Sequence, residues 1–175
     1  MTTIETGRPD HTGLPPDKPT LIDAPEHPAL AELHAYWEAK RGNRAIADRA
    51  DINPADIVRL LPHLFVLDVL EGGLDFRVRV FGTALVELMR EERTGKLISD
   101  FGEPATIPTD PIELRNRWLT ISRLALQSRR PLFFKSPTVA PERNYMYYHG
   151  MFAPLTAGSP EISQLIGILI TAATL

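Results

Sequence analysis

The chain has 175 residues, enough for one domain with a normal core and a short appendage. With 43% hydrophobic and 23% charged residues it has the make-up of a soluble globular protein, and a net charge of -3 offers none of the basic surplus that a nucleic-acid-binding face needs. It contains no cysteine, which excludes disulfides, thiolate zinc sites, iron–sulfur clusters and a cysteine nucleophile.

Six of the 16 prolines lie in the first 28 residues, among Gly7, Asp10, Gly13, Asp17 and Thr20. Such a segment cannot bury enough apolar surface to offset its ordering entropy, so residues 1–26 read as a flexible tail and 27–175 as the folded domain. The tail lacks the basic start and apolar middle of a signal peptide, and the longest apolar run, around Leu165 to Ile170, is too short to cross a bilayer. These features predict a cytoplasmic protein with no membrane partner.

A first helix is predicted from Pro28, where the missing N–H of proline is not needed. Leu30, Leu33 and Trp37 recur on one stripe, and Lys40, Arg41 and Gly42 form a helix stop. Asn53-Pro54-Ala55-Asp56 is a second start signal, for a short helix carrying Ile57, Leu60 and Leu61 and ended by Pro62. Leu64 to Leu70 is a strand. Phe76 to Phe81 is another, alternating Phe76, Val78 and Val80 with Arg77 and Arg79, and Glu71-Gly72-Gly73 is the tight turn between the two. Thr83 to Arg90 reads as a helix and Gly95 as a break. Residues 101–110 form a loop, and Asp110-Pro111-Ile112-Glu113 caps a helix with Leu114, Trp118, Ile121 and Ala125 on one stripe, stopping before Pro131. Three strands close the chain, Leu132 to Thr138, Asn144 to Leu155 and Ile162 to Thr171, the last two joined by a turn at Ala157-Gly158-Ser159-Pro160.

A hairpin, a run of helices and three further strands is the element order of the PAS fold. The stretch from Phe76 through Gly82-Thr83-Ala84 to Leu88 and Thr94-Gly95-Lys96 resembles the PAS pattern of a strand, a short helix and a TGK-like turn. Upstream, Tyr36-Trp37, Arg41-Gly42-Asn43-Arg44, Arg49-Ala50-Asp51-Ile52 and Leu61-Pro62-His63-Leu64 resemble stand-alone bacterial PAS-like proteins with an N-terminal helix. The resemblance covers roughly residues 28–175. It implies an α+β domain in which helices pack on one face of a five-stranded antiparallel sheet, preceded by the N-terminal helix. It further implies a small cavity between sheet and helices, where some members bind haem, flavin or metabolites, while others serve as dimerisation or docking modules. Light sensing through a flavin–cysteine adduct is excluded by the absence of cysteine. No kinase, cyclase or DNA-binding segment follows the last strand, so output through another protein is expected.

Candidate binding residues follow from chemistry and position. Arg77 and Arg79 point to one side of their strand. They either form an anion site or pair with Asp68 or Glu71 on a solvated face, and the second reading is preferred because half-exposed strands alternate in this way. His149 lies in a strand, where a haem-binding reading would use it; a strand histidine bonded to backbone or water is the preferred reading. Tyr145, Tyr147 and His149 share one strand face, fit for a planar ligand or for an oligomer interface. Trp118 and Tyr147 are placed where they line the cavity or, with Phe65, Phe76 and Phe133, fill it. Leu30, Leu33 and Trp37 form either core or a dimer contact. Arg44, Arg49 and Asp51 are expected to pin the linker. Glu87, Glu91 and Glu92 beside Arg90 and Arg93 read as a solvated charged helix face. No metal spacing, nucleophile–base motif, P-loop or dinucleotide fingerprint is present. The expectation is a non-enzymatic sensory domain that binds a small molecule of unknown identity and signals through a homodimer or a partner protein; the alternative is a ligand-free interaction module.

Overall fold

The computed structural model describes residues 19–101, 111–137 and 146–173. Most of the expected tail, the loop before Pro111 with its Asp110 cap, and the strand ends at Thr138, Asn144 and Tyr145 lie outside these residues. In chain order the elements are β1 (Thr20–Ile22), α1 (Pro28–Arg41), β2 (Ala47–Asp48), a 3₁₀ turn at Arg49–Asp51 and a longer 3₁₀ segment, Pro54–His63. Then come β3 (Leu64–Leu70), β4 (Asp75–Phe81), α2 (Thr83–Met89), a 3₁₀ turn at Ile98–Asp100 and α3 (Pro111–Ser128). The chain closes with β5 (Leu132–Pro137), β6 (Met146–Thr156) and β7 (Ile162–Ala173).

The sheet order is β1-β5-β6-β7-β3-β4, with antiparallel pairing along the whole path. The first hairpin therefore lies beside the last strand, as PAS topology requires. Two short strands extend the five expected ones. Thr20–Ile22, read from composition as tail, pairs with Phe133–Lys135 because the edge of β5 offers free backbone groups, and Glu26 closes an ion pair to Lys135 at 3.2 Å. Ala47 and Asp48 pair in parallel with Leu155 and Thr156, on the edge of β6 that β5 leaves after Phe152.

The sheet is covered on both faces. Phe133 meets His34 of α1 edge-on at 5.0 Å, whereas its neighbour Phe134 packs on Phe152, which touches Trp118 of α3. Successive strand residues point to opposite faces, so α1 lies on the outer face and α3 on the inner one. Leu30, Leu33 and Trp37 are all buried, and the Trp37 indole Nε1 donates to Pro154 O at 2.8 Å. The dimer-contact reading of this stripe is thereby corrected: the helix buries its apolar face on its own sheet and has none of these three side chains left for a partner. On the inner face Leu114, Trp118, Ile121 and Ala125 are buried, as their spacing predicts. The tip of the Phe65 ring lies over Gly167, where a Cβ would come within 2.1 Å of its Cζ. Only glycine allows that approach.

Three local expectations change. The segment after Asn53 is capped as predicted, Asn53 Oδ1 accepting from Ala55 N, but Ile57 leaves helical geometry. The result is a pair of 3₁₀ turns that takes in Pro62. The β3–β4 turn does use positive φ at Glu71, Gly72 and Gly73. However, a bulge opposite Val66/Leu67 breaks the alternation of β4, so Val80 faces solvent and Phe81 turns inward.

Candidate functional site

Between α2 and the inner face of β7 opens a cleft of about 280 Å³. Ala84, Leu85 and Leu88 of α2 and Leu169 of β7 give it apolar walls, and His63, Glu87 and Thr171 supply the polar side chains. Its geometry follows from how α2 begins. Gly82 donates its N–H to Leu64 O at 2.8 Å, and a Cβ at Gly82 would lie 2.2 Å from Pro62 O. The start of α2 is thus pressed onto the 3₁₀ segment, which brings His63 to one end of the cleft.

α2 stops at Met89 because Arg90 adopts the left-handed conformation, φ 55. The chain then turns inward. Glu87, Arg90 and Glu92 are exposed, as the solvated-face reading expects, but that reading is corrected for Arg93 and, in part, for Glu91. Arg93 is fully buried with its guanidinium 4.4 Å above the Phe101 ring, and Glu91 holds Lys96 on one oxygen and lies 3.2 Å from Arg93 Nη2 with the other. Nε, Nη1 and Nη2 of Arg93 have no hydrogen-bond acceptor among the described residues. Burial works against the charged form of Arg93 and Glu91 favours it; burial is the stronger influence. The Thr94-Gly95-Lys96 turn that follows is tied to the edge of β4 by Gly95 N to Val78 O (2.7 Å) and Val78 N to Lys96 O (2.9 Å).

The centre of the inner face is filled by aromatic rings. Phe65 contacts Trp118 at 5.0 Å and Phe152 at 4.7 Å, and Phe101 contacts Trp118 at 5.4 Å, edge-on in each case. Trp118 is therefore a packing residue and does not line the cleft. Phe76 is buried as well, whereas Phe133 faces α1.

The remaining predicted site residues are scattered. Arg77 is exposed, and its backbone bridges to Leu97. Arg79 is committed to Asp68, its Nε 2.8 and 3.1 Å from the two carboxylate oxygens, and Gln164 Nε2 also donates to Asp68 at 2.7 Å. Burial pushes the Asp68 carboxyl up, but these hydrogen bonds outweigh it and hold it below the usual carboxylate range. Tyr147 is half-buried with Lys135 Nζ 4.9 Å over its ring. His149 is buried on the outer face beside His27, ring centroids 5.9 Å apart. It points to the α1 side of the sheet, opposite α2 and α3, which removes the basis for reading it as a ligand to a haem held between the sheet and those helices. The five candidates therefore do not converge. No group of three or more His, Asp or Glu among the described residues could hold a metal ion.

The linker motif serves structure. The Tyr36 hydroxyl accepts from Asn53 N at 2.8 Å, and Arg44 bonds Asp51 and, at 2.6 Å, Lys40 O. Asp48 accepts from Gly158 N at 2.8 Å and from Ala50 N at 2.9 Å, the two bonds that chiefly hold its carboxyl below the usual range.

The sequence profile of a family described as PAS domain matches residues 25–170. Among solved structures, the chain is similar to an RNA-binding light-oxygen-voltage receptor, with 12% identity and a TM-score of 0.48 over 89% of this chain and 39% of that one. It is also similar to a fungal LOV domain photoreceptor, with 10% identity and a TM-score of 0.43 over 71% of this chain and 94% of that one. No curated protein matches the chain. Among the described residues no helix is long and apolar enough to cross a membrane.

Proposed function

The chain belongs to the PAS domain family, and on that premise we propose that it is a non-enzymatic sensory module that takes a small molecule between α2 and the sheet and signals through protein contacts. The observation that supports this reading is the cleft beneath α2, with three leucines and an alanine on its walls and His63, Glu87 and Thr171 as its polar groups. The cleft is open on one side and its lining exposes more polar than apolar surface, so it calls for a compact, polar ligand in its volume of about 280 Å³. α2 is a seven-residue helix fixed at its start by Gly82 and released at its end by Arg90, so occupancy of the cleft has a short, movable element to act on. Movement there reaches the surface through the Thr94-Gly95-Lys96 turn, which passes it to β4 and to whichever second copy or signalling partner reads that edge.

The second reading, a ligand-free interaction module, draws on a different observation: the edge-to-face packing of Phe65, Phe101, Trp118 and Phe152 leaves the middle of the inner face filled. Native mass spectrometry with thermal-shift screening of a metabolite set separates the two. The sensory reading expects a co-purifying or stabilising compound whose effect disappears in Leu88→Trp, a substitution that fills the cleft, while circular dichroism shows the fold retained. A bare mass in repeated preparations, with no stabilising compound, would favour the interaction module.

A further inference from the structure

We infer that Arg93 anchors a second site, distinct from the cleft, which takes the carboxylate of a small organic acid on the helical side of the sheet. The inference stands on geometry. The Arg93 side chain is fully buried, and its flat face is occupied by the Phe101 ring at 4.4 Å. Along the guanidinium edge only Glu91 Oε2 approaches, 3.2 Å from Nη2, and Nε, Nη1 and Nη2 find no aligned hydrogen-bond acceptor among the described residues. Buried donors without acceptors are rare in folded proteins, and arginine stays protonated at any accessible pH, so the group carries unmet demand for an acceptor.

Charge bookkeeping points the same way. Glu91 is the ionic partner of both Arg93 and Lys96, and its Oε2 lies 3.2 Å from Arg93 Nη2 without hydrogen-bond alignment. Glu92, the next acid in sequence, is turned to the Thr94 backbone N–H and hydroxyl at 2.9 and 2.6 Å. Among the described residues two cations thus share one carboxylate, and the buried one of the two, Arg93, lacks an aligned acceptor. A planar carboxylate meets the free edge with two parallel N–H···O bonds, the pairing that the guanidinium fork favours. Its tail would meet aromatic surface, because Phe101 leans on Trp118 at 5.4 Å. One helical turn along from Trp118, the hydroxyl of Ser122 is also buried without a partner, a further donor on the same helix face. Arg93 lies between the end of α2 and the turn hydrogen-bonded to β4, so an acid bound there would tighten the same segment that the cleft ligand moves.

The test is a titration of the full-length chain with benzoate, followed by the side-chain Nε–H resonance of Arg93 and the indole N–H of Trp118 in ¹⁵N NMR. Saturable shifts of both with benzoate, and none with benzyl alcohol, are expected. Arg93→Lys, which keeps the charge and loses the fork, is expected to weaken binding by roughly tenfold or more, and Arg93→Gln to abolish it. Leu88→Trp is expected to leave benzoate binding unchanged, which keeps this site separable from the cleft. If Arg93→Gln does not fold, the lysine variant and the alcohol control still decide. The proposal is overturned by the absence of a saturable shift with benzoate or acetate, by equal affinity in Arg93→Lys, by tighter binding of inorganic phosphate than of benzoate, or by a benzoate-soaked crystal in which Arg93 contacts water alone.

Discussion

On the outer face of the sheet, the polar groups that α1 and its linker bring in are almost all matched: Trp37 Nε1 to Pro154 O, the Tyr36 hydroxyl to Asn53 and Asp56, and Asp48 to Ala50, Thr156 and Gly158. On the inner face, Arg93 and Ser122 are fully buried and their side-chain donors lack acceptors among the described residues, while a cleft stands open beside α2. The difference separates two tasks. Apart from His149 Nδ1, which is buried without a partner among the described residues, the outer layer spends its polar groups on holding itself in place, whereas the inner layer keeps more polar capacity and space that its own fold does not consume. Both proposed binding sites lie on the inner side, so substitutions on the two faces should have different signatures.

The largest expected effect is on the outer face. Trp37→Ala removes a buried indole and its hydrogen bond and should lower unfolding free energy by about 3–5 kcal/mol, read by urea denaturation. It should leave any ligand contact untouched if the protein is assayed well below its melting temperature. Next is Gly167→Ala, which drives a methyl into the Phe65 ring and Met151 O. Overpacking of this kind costs about 1–3 kcal/mol and, unlike Trp37→Ala, should disturb the aromatic resonances of the inner face.

A smaller effect is tied to pH. Burial, followed by the nearby Lys135 and His27, holds His149 below the ordinary histidine range, with Glu26 opposing. The folded state therefore takes up a proton less readily than the unfolded chain. Its stabilising contribution is complete above the unfolded value of about 6.5 and is lost as pH falls from there toward the lower folded value. Melting temperature should drop across that window in the wild type and less so in His149→Phe; an identical slope in both would remove His149 from the account. The smallest effect is expected for Arg79→Gln. Its guanidinium is half exposed and its pair with Asp68 is screened by water, so stability should hardly change and neither binding test should respond.

The sequence made the sheet and its faces readable because strands and helices advertise themselves by period. Phe76 and Val78 are buried and Arg77 exposed, as their spacing predicts; Leu30, Leu33 and Trp37 form the one stripe that spacing predicts, but spacing leaves open whether it meets core or a dimer partner, and it is core. Val80 was misread because a bulge leaves no trace in a pattern of period two. Arg93 was misread for a related reason: Glu87 to Arg93 looks like one charged helix face, and nothing in composition signals that Arg90 turns left-handed and sends the following residues inward. The cleft was invisible for a different reason. His63, Leu88 and Thr171 come from three separate segments, and their meeting depends on the close contact between Gly82 and Pro62.

The strap formed by α1 and β2 also bears on how the chain reaches its final state. Trp37 closes on a carbonyl 117 residues later, and Asp48 on an amide 110 residues later. Neither contact can form until the β6–β7 hairpin exists, and such distant closures are slow compared with local helix and hairpin formation. Docking of the N-terminal layer is therefore expected to be slow, as is the equally distant pairing of β3 with β7. Until then, the outer surface of β6 is bare, which makes this hairpin the segment most exposed to misassociation during folding.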